Sequence, residues 1–140
     1  MAIRNASAVW NGTLKEGGGI MKLGSGAFEG AFNFASRFEE GPGTSPEEML
    51  GAAQAGCFSM YLAAVLTDAG FPPVQVRTHA KVHLGEGTRI TLIELDTEAV
   101  VPNVDEKVFL ESVDKSKKKC PISRALTGPA LRVSARLVKK

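Results

Sequence analysis

The amino-acid sequence predicts an α+β domain in which a long uncharged helix sits among strands that pair mostly antiparallel. Three observations carry that expectation. Residues 74–84 and 89–101 alternate apolar and polar side chains with period two; residues 49–67 carry no charge and follow a helix-start signal; residues 105–119 return to helical spacing. At 140 residues, 44% of them hydrophobic, the chain fits one domain spanning 1–140 with a core of its own.

The first third is glycine-rich. Gly17, Gly18 and Gly19 separate Ala8-Val9-Trp10 from Ile20-Met21-Lys22-Leu23, which reads as a hairpin, and a further short strand is expected around residues 32–38. A loop through Gly41-Pro42-Gly43 leads to Ser45-Pro46-Glu47-Glu48. There Ser45 suits the N-cap, Pro46 the first helical position and Glu48 the closure of a capping box. The helix is expected to run to about Asp68, with Gly70 ending it.

In the next strand Val74, Val76, Thr78, Ala80, Val82 and Leu84 share one face, and Arg77, His79, Lys81 and His83 share the other. Gly85-Glu86-Gly87 turns the chain into the second alternating run, where Ile93, Leu95, Ala99 and Val101 oppose Glu94, Asp96 and Glu98. Val108, Phe109 and Val113 form the inward stripe of the next helix. Cys120-Pro121 restarts a short one with Cys120 at its cap, and a last alternating strand fills 131–140.

The formal net charge of +2 excludes the basic excess of a nucleic-acid binder. An uncharged run of roughly 18 residues invites a membrane span. Here Gly51, Gln54, Gly56 and Ser59 interrupt it, no basic flank follows and a soluble-type cap opens it, so a place at the domain centre or in an oligomer interface is expected. Residues 1–5 show no apolar leader, and a cytoplasmic address is expected.

In a reducing compartment the two cysteines point to transient redox use. Two buried thiols acting as small hydrophobes remain an alternative, as does a permanent Cys57–Cys120 staple, which by chain entropy could contribute about 4 kcal/mol. Cys57 lies mid-helix in apolar surroundings that disfavour its thiolate, so a reactive Cys57 needs a cation. Arg37, beside Phe34 and Phe38, is the best-placed candidate, and Glu47 can hold its guanidinium with both oxygens. Ten residues separate Glu47 from Cys57, about 15 Å of helix axis, so a shared site needs either a bent helix or a second subunit. Cys120 follows Lys117-Lys118-Lys119 at a helix start, a setting that favours its thiolate. His79 and His83 stand about 13 Å apart along a strand, too far for one metal ion.

Residues 45–60, SPEEMLGAAQAGCFSM, resemble the signature of the OsmC/Ohr family of osmotically inducible and organic hydroperoxide resistance proteins. Cys120-Pro121-Ile122-Ser123 resembles its second cysteine motif, and Arg37-Phe38-Glu39 the arginine segment of the OsmC branch. Gln54 departs from the histidine common there. The resemblance implies an intertwined homodimer with sites at its interface, and a peroxidase that needs no metal, haem or flavin. Cys57 would attack an organic hydroperoxide, Cys120 resolve the oxidised sulfur, Arg37 activate and Glu47 hold Arg37. An external dithiol, a lipoylated protein by the same resemblance, would restore the thiols. A pocket for the alkyl chain is expected from Phe38, Met49, Phe58 and Ile122. The competing expectation is a protein of the same fold that binds a small apolar ligand without turnover.

Overall fold

Glycine shapes the first hairpin. Strands β1 (Ala6–Asn11) and β2 (Gly18–Leu23) pair antiparallel, and β2 pairs antiparallel with β3 (Glu29–Phe32). Gly19 faces both Trp10 and Phe32 across the ladder, and a Cβ there would lie 2.7 Å from the Phe32 ring and 2.9 Å from Trp10. Its lack of a side chain lets the two rings approach to 5.2 Å between centroids.

The structure, a computed structural model, describes residues 1–139. The chain divides into two units, Met1–Met49 and Leu50–Lys140. In the first, the strand expected over residues 32–38 ends at Phe32, and helix α1 (Phe34–Phe38) replaces the rest. The reason is local. Asn33 Oδ1 accepts from the Ser36 N–H and Ser36 Oγ accepts from the Asn33 N–H, both at 2.8 Å, closing a capping box that satisfies the backbone as a strand would not. The Thr44 N–H then donates to the Ala31 carbonyl, returning the chain to the sheet.

Helix α2 (Pro46–Asp68) begins as the sequence predicts, with Ser45 Oγ accepting the Glu48 N–H at 3.1 Å. Glu48 does not close the expected box; its carboxylate takes the Thr44 hydroxyl at 2.7 Å. The helix is long and apolar enough to cross a membrane by length and composition, with a mean hydropathy of 1.5. Within the second unit, however, Phe58, Leu62 and Leu66 recur at intervals of four and are wholly buried in the core. Ala52, Ala53, Met60 and Ala64 leave another, apolar face open.

Strands β4 (Gln75–Gly85) and β5 (Arg89–Val100) form the long antiparallel pair, joined by a turn in which Gly87 takes φ +70°. Their alternation is borne out: Ile93, Leu95, Thr97 and Ala99 are buried, while Arg77, His79, Lys81 and His83 are exposed. From β5 the chain crosses through α3 (Glu106–Lys119) and α4 (Pro121–Ala125) and returns as β6 (Ala130–Leu137), parallel to β5. This sheet is therefore mixed, because a helical crossover brings a strand back in the same direction. Helix α3 buries Phe109 and Val113 as expected, together with Ser112 and Ser116. Both serine hydroxyls donate to the carbonyl four residues back, at 2.8 Å, and so enter the core satisfied.

Candidate active site

The second unit brings Cys57 and Cys120 together. Cys57 projects from the middle of α2, and Cys120 is the hinge where α3 ends and α4 begins, with Pro121 at the first position of the new helix. Both are free thiols, and their sulfurs share a hydrogen bond at 2.7 Å across 63 residues of chain. A disulfide sulfur pair lies at about 2.05 Å, so little movement separates this contact from a covalent bond.

The two thiols are unequal. Burial pushes Cys57 above the ordinary thiol range, its hydrogen bond with Cys120 adds to the rise, and the Ile122 N–H only partly offsets it. Burial also raises Cys120. It is outweighed by hydrogen bonds from Cys57, from the N–H and hydroxyl of Ser123 and from the N–H of Ile122, so Cys120 lies below the ordinary range. The N–H groups opening α4 favour the thiolate without closing a regular cap hydrogen bond. The apolar setting expected to hold Cys57 as a thiol is thus present. The lowering of Cys120 comes from hydrogen bonds rather than from the three lysines that the sequence brings forward.

Gln54 and Ser123 complete this site, and neither is among the predicted catalytic residues. Gln54 is 1% exposed and Ser123 9%, and Gln54 Nε2 donates to Ser123 Oγ at 3.1 Å. Gln54 Oε1, also buried, has no partner among the described residues. The signal in the sequence was their spacing: Gln54 precedes Cys57 by three residues and Ser123 follows Cys120 by three, one helical turn in each case.

In the first unit the predicted pair of Arg37 and Glu47 is present. Arg37 Nε and Nη2 donate to the two Glu47 carboxylate oxygens, each at 3.0 Å, and the guanidinium lies 5.3 Å from the centre of the Phe38 ring. The Glu47 side chain is only 11% exposed. A depression beside Arg37 is lined by Trp10, Leu14, Phe32, Phe34 and Phe38. Of the four residues expected to line a pocket, Phe38 borders this depression and Met49 and Ile122 are half-buried. Phe58 is a correction: it is wholly buried in the core of the second unit, packed with aliphatic side chains. His83 Nε2 lies 2.7 Å from the Glu94 carboxylate, which accounts for one of the two histidines.

Comparison with known proteins agrees with these features. The family described as OsmC-like protein matches residues 39–135, a span that holds Glu47, Cys57 and Cys120 and begins just beyond Arg37. Peroxiredoxin OsmC of Escherichia coli strain K12 is 40% identical over 127 residues, covering 88% of this chain and 89% of that protein. Among solved structures, an OsmC-like protein from Mycoplasma pneumoniae superposes with a TM-score of 0.76 at 17% identity, over 98% of each chain. The organic hydroperoxide resistance protein OhrB of Bacillus subtilis superposes with a TM-score of 0.64 at 19% identity, over 96% of this chain and 98% of that one. The fold is shared at identities too low to carry function, whereas the match to the family and the 40% relative reach the site itself, and the chain belongs to the OsmC-like family.

Proposed function

We propose that this chain is a cysteine-based peroxidase that reduces organic hydroperoxides to alcohols, with Cys57 as the attacking sulfur and Cys120 as the resolving one. The observation that carries the reading is the contact of the two free sulfurs at 2.7 Å, in a chain 40% identical to a protein named peroxiredoxin.

The Cys57 thiolate attacks the terminal oxygen of the hydroperoxide. An S–O bond forms, the O–O bond breaks, and the alkoxide leaves and takes a proton from solvent. The Cys120 thiolate then attacks the sulfenic sulfur; an S–S bond forms, the S–O bond breaks, and hydroxide departs to become water. An external dithiol, such as a lipoylated protein, reduces the disulfide and returns both thiols. Sulfur chemistry of this kind calls for no metal, haem or flavin.

The first step needs Cys57 ionised, and its own surroundings oppose that. A cation brought to the sulfur reverses the direction. Arg37, fixed by Glu47 and backed by Phe38, is the cation in this reading. Because about 15 Å of helix axis separates Glu47 from Cys57, the guanidinium acts on the cysteine of a second protomer. The open apolar face of α2 at Ala53, Met60 and Ala64 supports such a homodimer, in which the 140 residues act as one OsmC-like domain. Phe38, Met49 and Ile122 then remain for the alkyl group, and a soluble protein of the reducing cytoplasm fits a pair of thiols used in turn.

The test is turnover of cumene hydroperoxide with dithiothreitol as reductant. Wild type is expected to cycle and Cys57→Ser to show no activity above background; Cys120→Ser, given peroxide without dithiothreitol, is expected to consume one equivalent and to end as a Cys57 sulfenic acid in place of the disulfide. Equal rates for wild type and Cys57→Ser would end the enzyme reading in favour of a binding protein.

A further inference from the structure

Three serines lie buried on the helices around Cys120, and their hydroxyls are used differently. Ser112 and Ser116 donate back along α3 to Val108 and Ser112 carbonyls, the usual way a helical serine satisfies itself. Ser123 is held instead by a side chain from another helix: Gln54 Nε2 donates to its oxygen at 3.1 Å. A hydroxyl has one proton and two lone pairs. With a lone pair taken by the amide, the proton is turned away from Gln54; Ser123 stands at the third position of α4, one helical turn after the Cys120 cap, and its hydroxyl is among the groups that lower the Cys120 thiol. Gln54 itself stands one turn before Cys57, whose sulfur meets that of Cys120 at 2.7 Å. Buried Gln54, Ser123 and Cys120 and the half-buried Cys57 thus lie in one polar row linking α2 to α4.

Two features argue that this row does more than bridge helices. A glutamine kept only as a bridge could offer its carbonyl to the serine proton and leave the less demanding arrangement. Here the carbonyl Oε1 is the atom left without a partner among the described residues, while the amide nitrogen meets the serine. The orientation that strands Oε1 is also the one that frees the Ser123 proton for sulfur. Among the described residues Cys57 is the one ionisable side chain hydrogen-bonded to Cys120; Lys117, Lys118 and Lys119 of α3 and Arg124 of α4 adjoin it in sequence, all but Lys117 exposed.

We propose that Gln54 and Ser123 are positioning residues for the resolving step, the Gln54 amide aiming the Ser123 hydroxyl at the Cys120 sulfur so that its thiolate is ready when Cys57 has been oxidised. The role rests on the assignment of Cys120 as the resolving thiol. When Cys120 carries a proton or a disulfide, the sulfur no longer needs a donor. The amide can then flip and Oε1 accept the Ser123 proton, so the pair has two arrangements that follow the state of the sulfur.

The test reads the thiolate directly and does not depend on peroxide. In Cys57→Ser, which leaves Cys120 as the single thiol, ultraviolet thiolate absorbance is followed against pH. Adding Ser123→Ala is expected to raise the midpoint by roughly one unit, a tenfold loss of thiolate at a given pH below it. Gln54→Met, close in size and without polar atoms, is expected to raise it comparably. The two changes together are expected to raise it no further than Ser123→Ala alone, since Gln54 acts through Ser123. In the chain with both cysteines, disulfide formation after one equivalent of cumene hydroperoxide should slow about tenfold at neutral pH. An unmoved midpoint in folded Ser123→Ala overturns the proposal, and that variant carries the test alone if Gln54→Met melts. Additive shifts also overturn it, because the two side chains would then act separately. Absence of peroxide turnover in wild type with the midpoints shifted as expected would instead refute the peroxidase and leave the Gln54–Ser123 arrangement standing.

Discussion

Arg37 and Arg136 each grip carboxylates through two nitrogens, and the difference between their surroundings shows what an ion pair needs in order to mark a site. Arg136, on the outer face of the β4–β5–β6 sheet, has more partners: Asp96 at 2.7 Å, Glu98 beside it, and Ser134 also donating to Asp96 at 2.9 Å. Its side chain is 51% exposed and that of Asp96 47%. Pairs of that kind lie in water and salt, where screening and side-chain entropy leave little net effect. Arg37 has one carboxylate, but Glu47 is nearly withdrawn from solvent and the Phe38 ring backs the guanidinium. The grip through Nε and Nη2 leaves Nη1 outside the pair. Count of contacts favours the outer ladder; burial and a fixed orientation favour Arg37.

Removing each arginine separates the two kinds of ion pair most widely. Arg37→Ala is expected to lower the rate of peroxide consumption by roughly 100-fold, and to shift its pH profile upward, since Cys57 loses the cation that opposes its burial. Arg136→Ala should leave that rate unchanged in the same assay. A comparable loss in both would show that Arg37 matters only as surface charge. Glu47→Gln, which keeps the shape and removes the charge that orients the guanidinium, is expected to cost about tenfold, again in the peroxide step. An unaltered rate there would leave Arg37 needing no partner.

The smallest effect belongs to the outer sheet. Hydrogen bonds from Arg136 and then Ser134 hold the Asp96 carboxyl below the usual carboxylate range, and the hydrogen bond from His83 does the same for Glu94. A carboxylate depressed in the folded state contributes stability above its unfolded pKa and loses it as pH falls through the folded one. Asp96→Asn should therefore melt slightly below wild type at neutral pH, and the two melting temperatures should converge on acidification. Divergence toward low pH would contradict the sign.

Much of this was legible in the sequence, for reasons that differ by element. The faces of β4 and β5 follow from alternation because a strand offers no other way to sort side chains between core and water. The start of α2 follows from Ser45 and Pro46, local groups that act on their own backbone. Residues 32–38 misled because three phenylalanines outweigh an unobtrusive Asn33–Ser36 box that closes a single helical turn. The parallel β5–β6 pairing was hidden because α3 and α4 fill the connection and only the fold shows where β6 docks. Cys57, Cys120, Arg37 and Glu47 were nameable as chemistry and as a resemblance. Gln54 stood out as a departure from the family's histidine, but its tie to Ser123 was not legible, since a polar side chain on a helix reads as solvated until its partner from 69 residues away is known. Phe58 was assigned to a pocket for the complementary reason: an aromatic beside a cysteine looks like substrate surface, and only packing shows it to be core.

The claim on which the account turns is that the two touching sulfurs are a working redox couple, and free-thiol titration before and after one equivalent of cumene hydroperoxide addresses it most directly. The expected result is loss of both thiols of each chain, a Cys57–Cys120 linkage on peptide mapping, and full recovery with dithiothreitol. Thiols that survive the peroxide, or a loss that dithiothreitol does not reverse, would contradict it.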